Sequence, residues 1–211
     1  MNLLKAKNAS VSLPETGLEG PPSINSPREF IWLILLLLSS LVFTLGFSCA
    51  TPLAAFAAIA AVAFSRRDAL ILCGGVWFVN QVVGYIILRY PWNVNSVSWG
   101  LVLGGATMIA SLSSEWIYRH SKTPNLLRLV AAFITAFAVF EVALLAVALF
   151  VLGGVQDFAA DIVVRIFAVN GGAFVGLLVL HWLAVTVGLI PTSSEAQSGT
   201  GRRVTAGRPA A

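Results

Sequence analysis

The chain has 211 residues, of which 58% are hydrophobic and only 10% are charged, and its net charge is +4. Soluble domains carry about 25% charged residues, so this composition excludes a water-soluble globular fold. The charges are concentrated toward the two ends, and the long uncharged apolar runs between them are typical of membrane-spanning helices. The sequence therefore predicts an all-α integral membrane protein.

Hydrophobic segments occupy the middle of the chain and polar tails flank them. Residues 1–29 and 191–211 combine charges with proline, glycine and serine, and we expect both tails to be disordered. The membrane domain would then cover residues 30–190 as a six-transmembrane-helix bundle. Its six segments run roughly over residues 30–47, 51–65, 69–88, 97–114, 126–152 and 162–189.

The second segment, residues 51–65, is short for a membrane span. A residue that precedes proline is biased away from helix, so Thr51-Pro52 favours a turn between the first two segments. The remaining stretch of about 15 residues would rise only about 22 Å, less than the roughly 30 Å thickness of the hydrocarbon core. Both a short span and a re-entrant helix fit this length.

The positions of the basic residues predict the orientation, because cytoplasmic loops carry the excess of Lys and Arg. With six spans and both termini inside, every Lys and Arg except Arg89 and Arg165 lies in the cytoplasm. Merging the first two segments would instead expose Arg66, Arg67 and the C-terminal arginines to the outside. We therefore predict a multi-pass protein of a bacterial-type inner membrane. The net positive charge is then a topology signal, and no nucleic-acid partner is expected.

Polar side chains inside the spans are the most informative residues, because each is costly in hydrocarbon and marks either a site or a buried partner. Glu141 has apolar neighbours along its helix and leaves two alternatives open. It contacts a solute, or it pairs with Arg165 or Asn80 and fixes helix packing. The polar residues predicted to converge on the outer half of the bundle are Asn80, Gln81, Glu141, Arg165 and Asn170.

The outer loop between residues 89 and 99 combines aromatic and amide side chains. An aromatic belt at the membrane surface explains this composition. The functional alternative is a lid, in which rings such as Trp92 stack on a planar ligand while Asn93 and Asn95 supply hydrogen bonds. On this alternative Trp92 and Asn93 belong to the predicted binding site.

The sequence offers no catalytic residues, no metal site and no cofactor motif. The residues Cys49, Cys73, His120 and His181 do not follow metal-ligand spacing. Paired carboxylates, a phosphate loop and a Gly-x-Ser-x-Gly elbow are also missing from the sequence. We expect His181 to be a packing histidine, with a proton relay as the alternative. An enzyme is therefore not expected.

Small residues recur at four-residue spacing in three segments, and this spacing lets helices approach closely. Packing within the bundle is the simplest role for these residues, and docking of a partner subunit is the alternative. The three seams are Ala50, Ala54 and Ala58; Gly100 and Gly104; and Ala168, Gly172 and Gly176.

Six spans with both ends inside, an Ala54-x-x-x-Ala58 seam in an early span and polar groups in the outer half form a recognisable combination. It resembles the substrate-capturing S components of energy-coupling-factor vitamin transporters. The likeness is architectural, and here the seam lies in the second apolar segment instead of the first. The resemblance implies that an outer cavity takes up a vitamin and that the seam docks on a transmembrane partner subunit. The chain has no nucleotide motif, so an ATPase partner would supply the energy.

The leading hypothesis is a protein that binds a small organic solute from the outer side, as a transporter or transporter component. The alternative is a non-catalytic accessory or assembly subunit of a membrane complex, whose polar groups serve only helix packing. A solute-sized cavity among the third to sixth segments would favour the first hypothesis.

Overall fold

The computed structural model describes residues 27–47 and 51–188. The predicted tails fall almost entirely outside these ranges, as do Cys49 and Ala50. Within the described part of the chain the fold is built from helices, without strands. Each predicted apolar segment corresponds to one α-helix, and the helix of the second segment is the shortest. The helices are α1 (Pro27–Phe47), α2 (Leu53–Ala63), α3 (Arg66–Val82), α4 (Val94–His120), α5 (Asn125–Val147) and α6 (Ala160–Thr186).

Two of the helices are lengthened by π-helical turns. Val83–Ile87 continues α3 and Ala148–Leu152 continues α5. A left-handed residue follows each of these turns, namely Arg89 with φ 59° and Gly153 with φ 77°. Glycine adopts this conformation without steric cost, and it lets the chain reverse into the short 3₁₀ turn Val155–Phe158 before α6.

The helices have the length and composition of a membrane protein. Within residues 27–47 and 51–188, four segments are long and apolar enough to cross a bilayer. Phe30–Gly46 and Leu53–Ala63 are apolar but shorter. The prediction of a helical membrane protein is therefore confirmed. The four candidate spans are Arg66–Ile87, Val94–His120, Asn125–Leu152 and Ala160–Thr186.

Helix α2 is the centre of the bundle. It packs against α3, α4, α5 and α6, and all its residues from Leu53 to Ala61 are buried. Seven of its 11 residues are alanine, which favours helix formation and lets the surrounding helices approach closely. The larger side chains Phe56 and Ile59 are fully buried and fill the space between those helices.

The other five helices surround α2. Helix α1 packs on α3, and its Trp32 reaches α6, where the Trp32 and His181 ring centroids are 5.6 Å apart. On the other side, α4 packs along α5, and Phe133 of α5 stacks on Phe174 of α6 at 4.9 Å. The outer helices thus form a ring around a short central helix.

Successive helices run in opposite directions, which gives the bundle two distinct ends. The arginine end holds Arg66 and Arg119, where Glu115 of α4 accepts from Arg119 at 2.9 Å and pairs with Arg66 of α3 at 3.7 Å. Only 8% of Glu115 is exposed, so this ion-pair group joins the two helices in a partly enclosed position. The loop end is the opposite one and holds the connections 88–93 and 153–159.

Candidate functional site

A cavity lies at the loop end because α2 is only half as long as its neighbours. Its 11 residues rise about 16 Å, roughly half of a 30 Å hydrocarbon core. The start of α2 lies beside the last turn of α3, where Thr51 donates a hydrogen bond to Asn80 at 2.7 Å. The surrounding helices continue beyond this level, and the space above Thr51 and Leu53 is a cavity of about 520 Å³. This volume falls within the range of small-molecule sites in proteins.

Three residues of the predicted binding site line this cavity. Asn80 and Gln81 reach it from α3, and Glu141 reaches it from α5. The Asn80 side chain is buried and accepts from Thr51, so it holds the cavity floor in place. The Gln81 amide lies against the backbone of Gly100, where a Cβ atom would come within 2.5 Å of Gln81 Oε1. The missing side chain at position 100 therefore makes room for this amide.

Glu141 is partly buried and lines the cavity beside Phe140 and Leu144. Glu141 forms no ion pair with the described residues, whereas Glu115 at the arginine end pairs with Arg66 and Arg119. Arg165, the partner considered for a structural role, is exposed on α6 and does not line the cavity. The carboxylate of Glu141 is thus placed at a cavity wall without a basic partner from the described part of the chain.

The other four predicted binding residues lie outside the cavity lining. They are Trp92, Asn93, Arg165 and Asn170. Trp92 is 78% exposed and packs on Tyr85 with ring centroids 4.4 Å apart. Asn93 is the N-cap of α4 and accepts from the backbone N–H of Ser96 at 2.8 Å.

Asn170 has a structural position between two helices. Its Oδ1 accepts from the backbone N–H of Ala55 at 3.1 Å, and its Nδ2 donates to the Ile166 carbonyl at 3.0 Å. The side chain is only 2% exposed. The Oδ1 atom therefore joins α6 to the start of α2, and the bond from Nδ2 to Ile166 stays within α6.

Several residues that the sequence analysis did not select line the cavity. Tyr85 lies one helical turn beyond Gln81, and the shared helix face was a usable signal. Its hydroxyl is 3.2 Å from the Ser96 hydroxyl of α4, which closes the wall between these helices. Asp157 and Phe158 enter from the 3₁₀ turn. Nothing in the sequence pattern shows that this turn folds back over the cavity.

The small-residue seams take different roles in the structure. Ala54 and Ala58 are fully buried within α2, so this seam is a helix-packing surface inside the chain. Gly104 accommodates the Trp77 ring, whose Nε1 donates to the Gly100 carbonyl at 2.6 Å. These glycines thus let a tryptophan of α3 lie flat against α4.

The seam on α6 faces outward. Ala168, Gly172 and Gly176 are exposed, and a Cβ atom at either glycine would meet nothing within 4 Å. This seam does not contribute to packing among the described residues. It is available to lipid or to another protein.

The described histidine and cysteine residues belong to no metal-binding group. No group of three His, Cys, Asp or Glu side chains is placed to hold a metal ion within the ranges that the structure describes. Cys73 is a free, buried thiol. His181 lies beside Trp32, and its Nδ1 is buried without a hydrogen-bond partner in the same ranges.

Comparisons of the chain with protein-family models, with curated proteins and with solved structures found no match. The features that bear on function are therefore the half-length central helix, the cavity above it and the polar groups in its walls.

Proposed function

We propose that this chain is a multi-pass inner-membrane protein that binds a small organic solute at the loop end, as a transporter or transporter component. The observation that carries the proposal is the cavity of about 520 Å³ whose walls include Asn80, Gln81 and Glu141. Polar groups are costly within apolar helices unless they have partners or a function. Here they border a space of solute size instead of bonding only to one another.

We further propose an orientation of the bundle in the membrane. The arginine end, with Arg66, Arg67 and Arg119, faces the cytoplasm, because positive residues are retained on that side. The loop end then faces outward. Two lining residues, Asn95 and Asp157, are exposed, so the cavity opens at this end. A solute would enter from the outside, and α2 would serve as a half-span that forms the floor.

We also propose that the protein works with partner subunits. As in the S components that the chain resembles, uptake would depend on a transmembrane partner and on an ATPase subunit. The enclosed position of Ala54 and Ala58 means that the partner would contact another surface. The open seam with Gly172 and Gly176 on α6 has the small residues that close helix contact requires.

Solute binding can be tested with a variant in which a larger side chain fills the cavity. Leu144 lines it from α5, whereas Val142 on the same helix is 65% exposed and faces away. The variants Leu144→Trp and Val142→Trp add the same side chain at these two positions. Each protein is purified from membranes with the wild type, and its bound small molecules are extracted and identified by mass spectrometry.

A solute should be recovered from the wild type and from Val142→Trp, and it should be lost from Leu144→Trp because the indole occupies its space. Thermal unfolding of each variant verifies that the protein is folded. If folded Leu144→Trp yields the same small molecules as the wild type, the solute-binding proposal is wrong. An accessory role in a membrane complex would then be favoured.

A further inference from the structure

The charges in the cavity wall have one sign. Glu141 lies in the wall on α5, and Asp157 lies at the mouth on the 3₁₀ turn. Among the described residues that line the cavity, none is Lys, Arg or His. The basic residues of the loop end, Arg89 and Arg165, are exposed and lie outside the lining. The partly buried Glu141 carboxylate, with the exposed Asp157 carboxylate at the mouth, creates a negative potential that repels anions and attracts cations.

Aromatic rings surround the same space. Trp99 of α4 and Phe140 of α5 line the cavity, as do Tyr85 in the π-helical turn after α3 and Phe158 in the 3₁₀ turn. The faces of such rings attract cations, most strongly when the cation is desolvated. Trp99 is the strongest ring type for this contact, and it approaches the same glycine as the Asp157 carboxylate. Both Asp157 Oδ2 and Trp99 Cζ2 lie within 4 Å of a Cβ atom placed at Gly154, at 3.5 and 3.8 Å.

Neutral polar groups complete the walls. The amides of Asn80, Gln81 and Asn95 and the hydroxyl of Ser96 offer donors and acceptors for the uncharged part of a solute. They add no net charge. The Glu141 carboxylate has no basic partner from the described residues, and a carboxylate at such a depth is stable only with a counter-charge or strong hydrogen bonds.

From this arrangement we infer that the cavity selects an organic cation, such as an amine or a quaternary ammonium group carried on a ring. Glu141 is the counter-charge for the cationic group, and the aromatic walls contact its ring and its methyl or methylene groups. The inference rests on the proposed function and names the chemical class of its solute. Carboxylic acids and phosphate esters are excluded by the same two carboxylates.

The test measures the charge preference of the cavity with thiol reagents of similar size. Leu144→Cys is made in a chain in which alanine replaces Cys49 and Cys73. Position 144 lies one helical turn from Glu141 on α5. Val94→Cys, at a position 84% exposed near the loop end, is the matched control. Each variant is treated with the trimethylammonium, the sulfonate and the uncharged methyl methanethiosulfonates, and the rates of modification are compared.

The ratio of the cationic to the anionic rate should be about tenfold larger at position 144 than at position 94, in line with electrostatic focusing in clefts. Glu141→Gln in the Leu144→Cys background should reduce this ratio to near the control value. Benzyltrimethylammonium should protect Cys at position 144 from the uncharged reagent, and benzenesulfonate should not.

The outcomes separate this inference from the proposed function. Equal ratios at positions 144 and 94, a ratio that Glu141→Gln leaves unchanged, or protection by benzenesulfonate would each overturn the cation inference. In those cases the cavity would still be open to solutes. If none of the three reagents modifies position 144 while position 94 reacts normally, the cavity is closed to solutes, and both the proposed function and this inference are wrong.

Discussion

The side-chain oxygen of Asn170 on α6 accepts a hydrogen bond from the backbone N–H of Ala55 in the first turn of α2. The first N–H groups of a helix have no partners within it, and side chains usually cap them. The N-cap of α2 is Pro52, which has no side-chain hydrogen bond to offer. Asn170 thus caps α2 from a different helix, and it holds the floor of the cavity at a defined depth.

Asn170→Leu should destabilise the protein. The change removes the Asn170 acceptor from the Ala55 N–H, which also donates to the Pro52 carbonyl at 3.1 Å. The loss of one such hydrogen bond costs about 0.5 to 1.5 kcal/mol. The midpoint of thermal unfolding in detergent measures the effect. Val175→Ala on the exposed side of the same helix is the control and should change the midpoint little. If Asn170→Leu unfolds like the wild type but recovers no solute, Asn170 acts in binding after all.

Ala54→Leu should lower the yield of folded protein even when no partner is present. Ala54 is fully buried where α2 meets its neighbours, and overpacking of this kind costs about 1 to 3 kcal/mol. Ala138→Leu is the matched control, because Ala138 is exposed on α5. Size-exclusion chromatography compares the two yields. A normal yield for Ala54→Leu would mean that the centre of the bundle is looser than the structure indicates.

Gly104→Ala and Gly105→Ala should have opposite effects on stability. A Cβ atom at position 104 would lie 2.8 Å from the Trp77 ring, which is held by its hydrogen bond to Gly100. At position 105 a Cβ atom would meet nothing within 4 Å, and alanine favours a helix over glycine by up to about 1 kcal/mol. Thermal unfolding of both variants checks the prediction. Equal midpoints would show that Trp77 moves freely.

Position 92 should face the outside and position 67 the cytoplasm. The variants Trp92→Cys and Arg67→Cys, made without Cys49 and Cys73, are treated in intact cells with a membrane-impermeant thiol reagent. Modification at position 92 alone is expected, because Arg66 and Arg67 belong to the side that retains positive charge. Permeabilised cells provide the control, in which both positions should react. Modification at position 67 alone in intact cells would reverse the orientation.

The sequence predicted the helical membrane class because long apolar segments leave few alternatives. It also indicated that the second segment, residues 51–65, is short, and the structure has an 11-residue helix there. The central position of α2 was not predicted. Its high alanine content permits close packing on every side, yet the same composition also suits a helix with one packed face.

The candidate site was harder to predict than the helices. Asn80, Gln81 and Glu141 line the cavity because of the rotation of α3 and α5, and that rotation depends on neighbouring helices. Asn93 was considered as part of a lid, but asparagine is a favoured N-cap residue and here it starts α4. Asp157 reaches the cavity only because the connection before α6 folds back, which no spacing in the sequence encodes.

Because α2 is only about half as long as its neighbours, a shift of its first residue would change the size of the cavity. The depth of the cavity depends on where the central helix begins, and each residue added to its first turn would raise the floor by about 1.5 Å. Related chains could therefore diverge toward larger or smaller solutes while their wall residues stay the same.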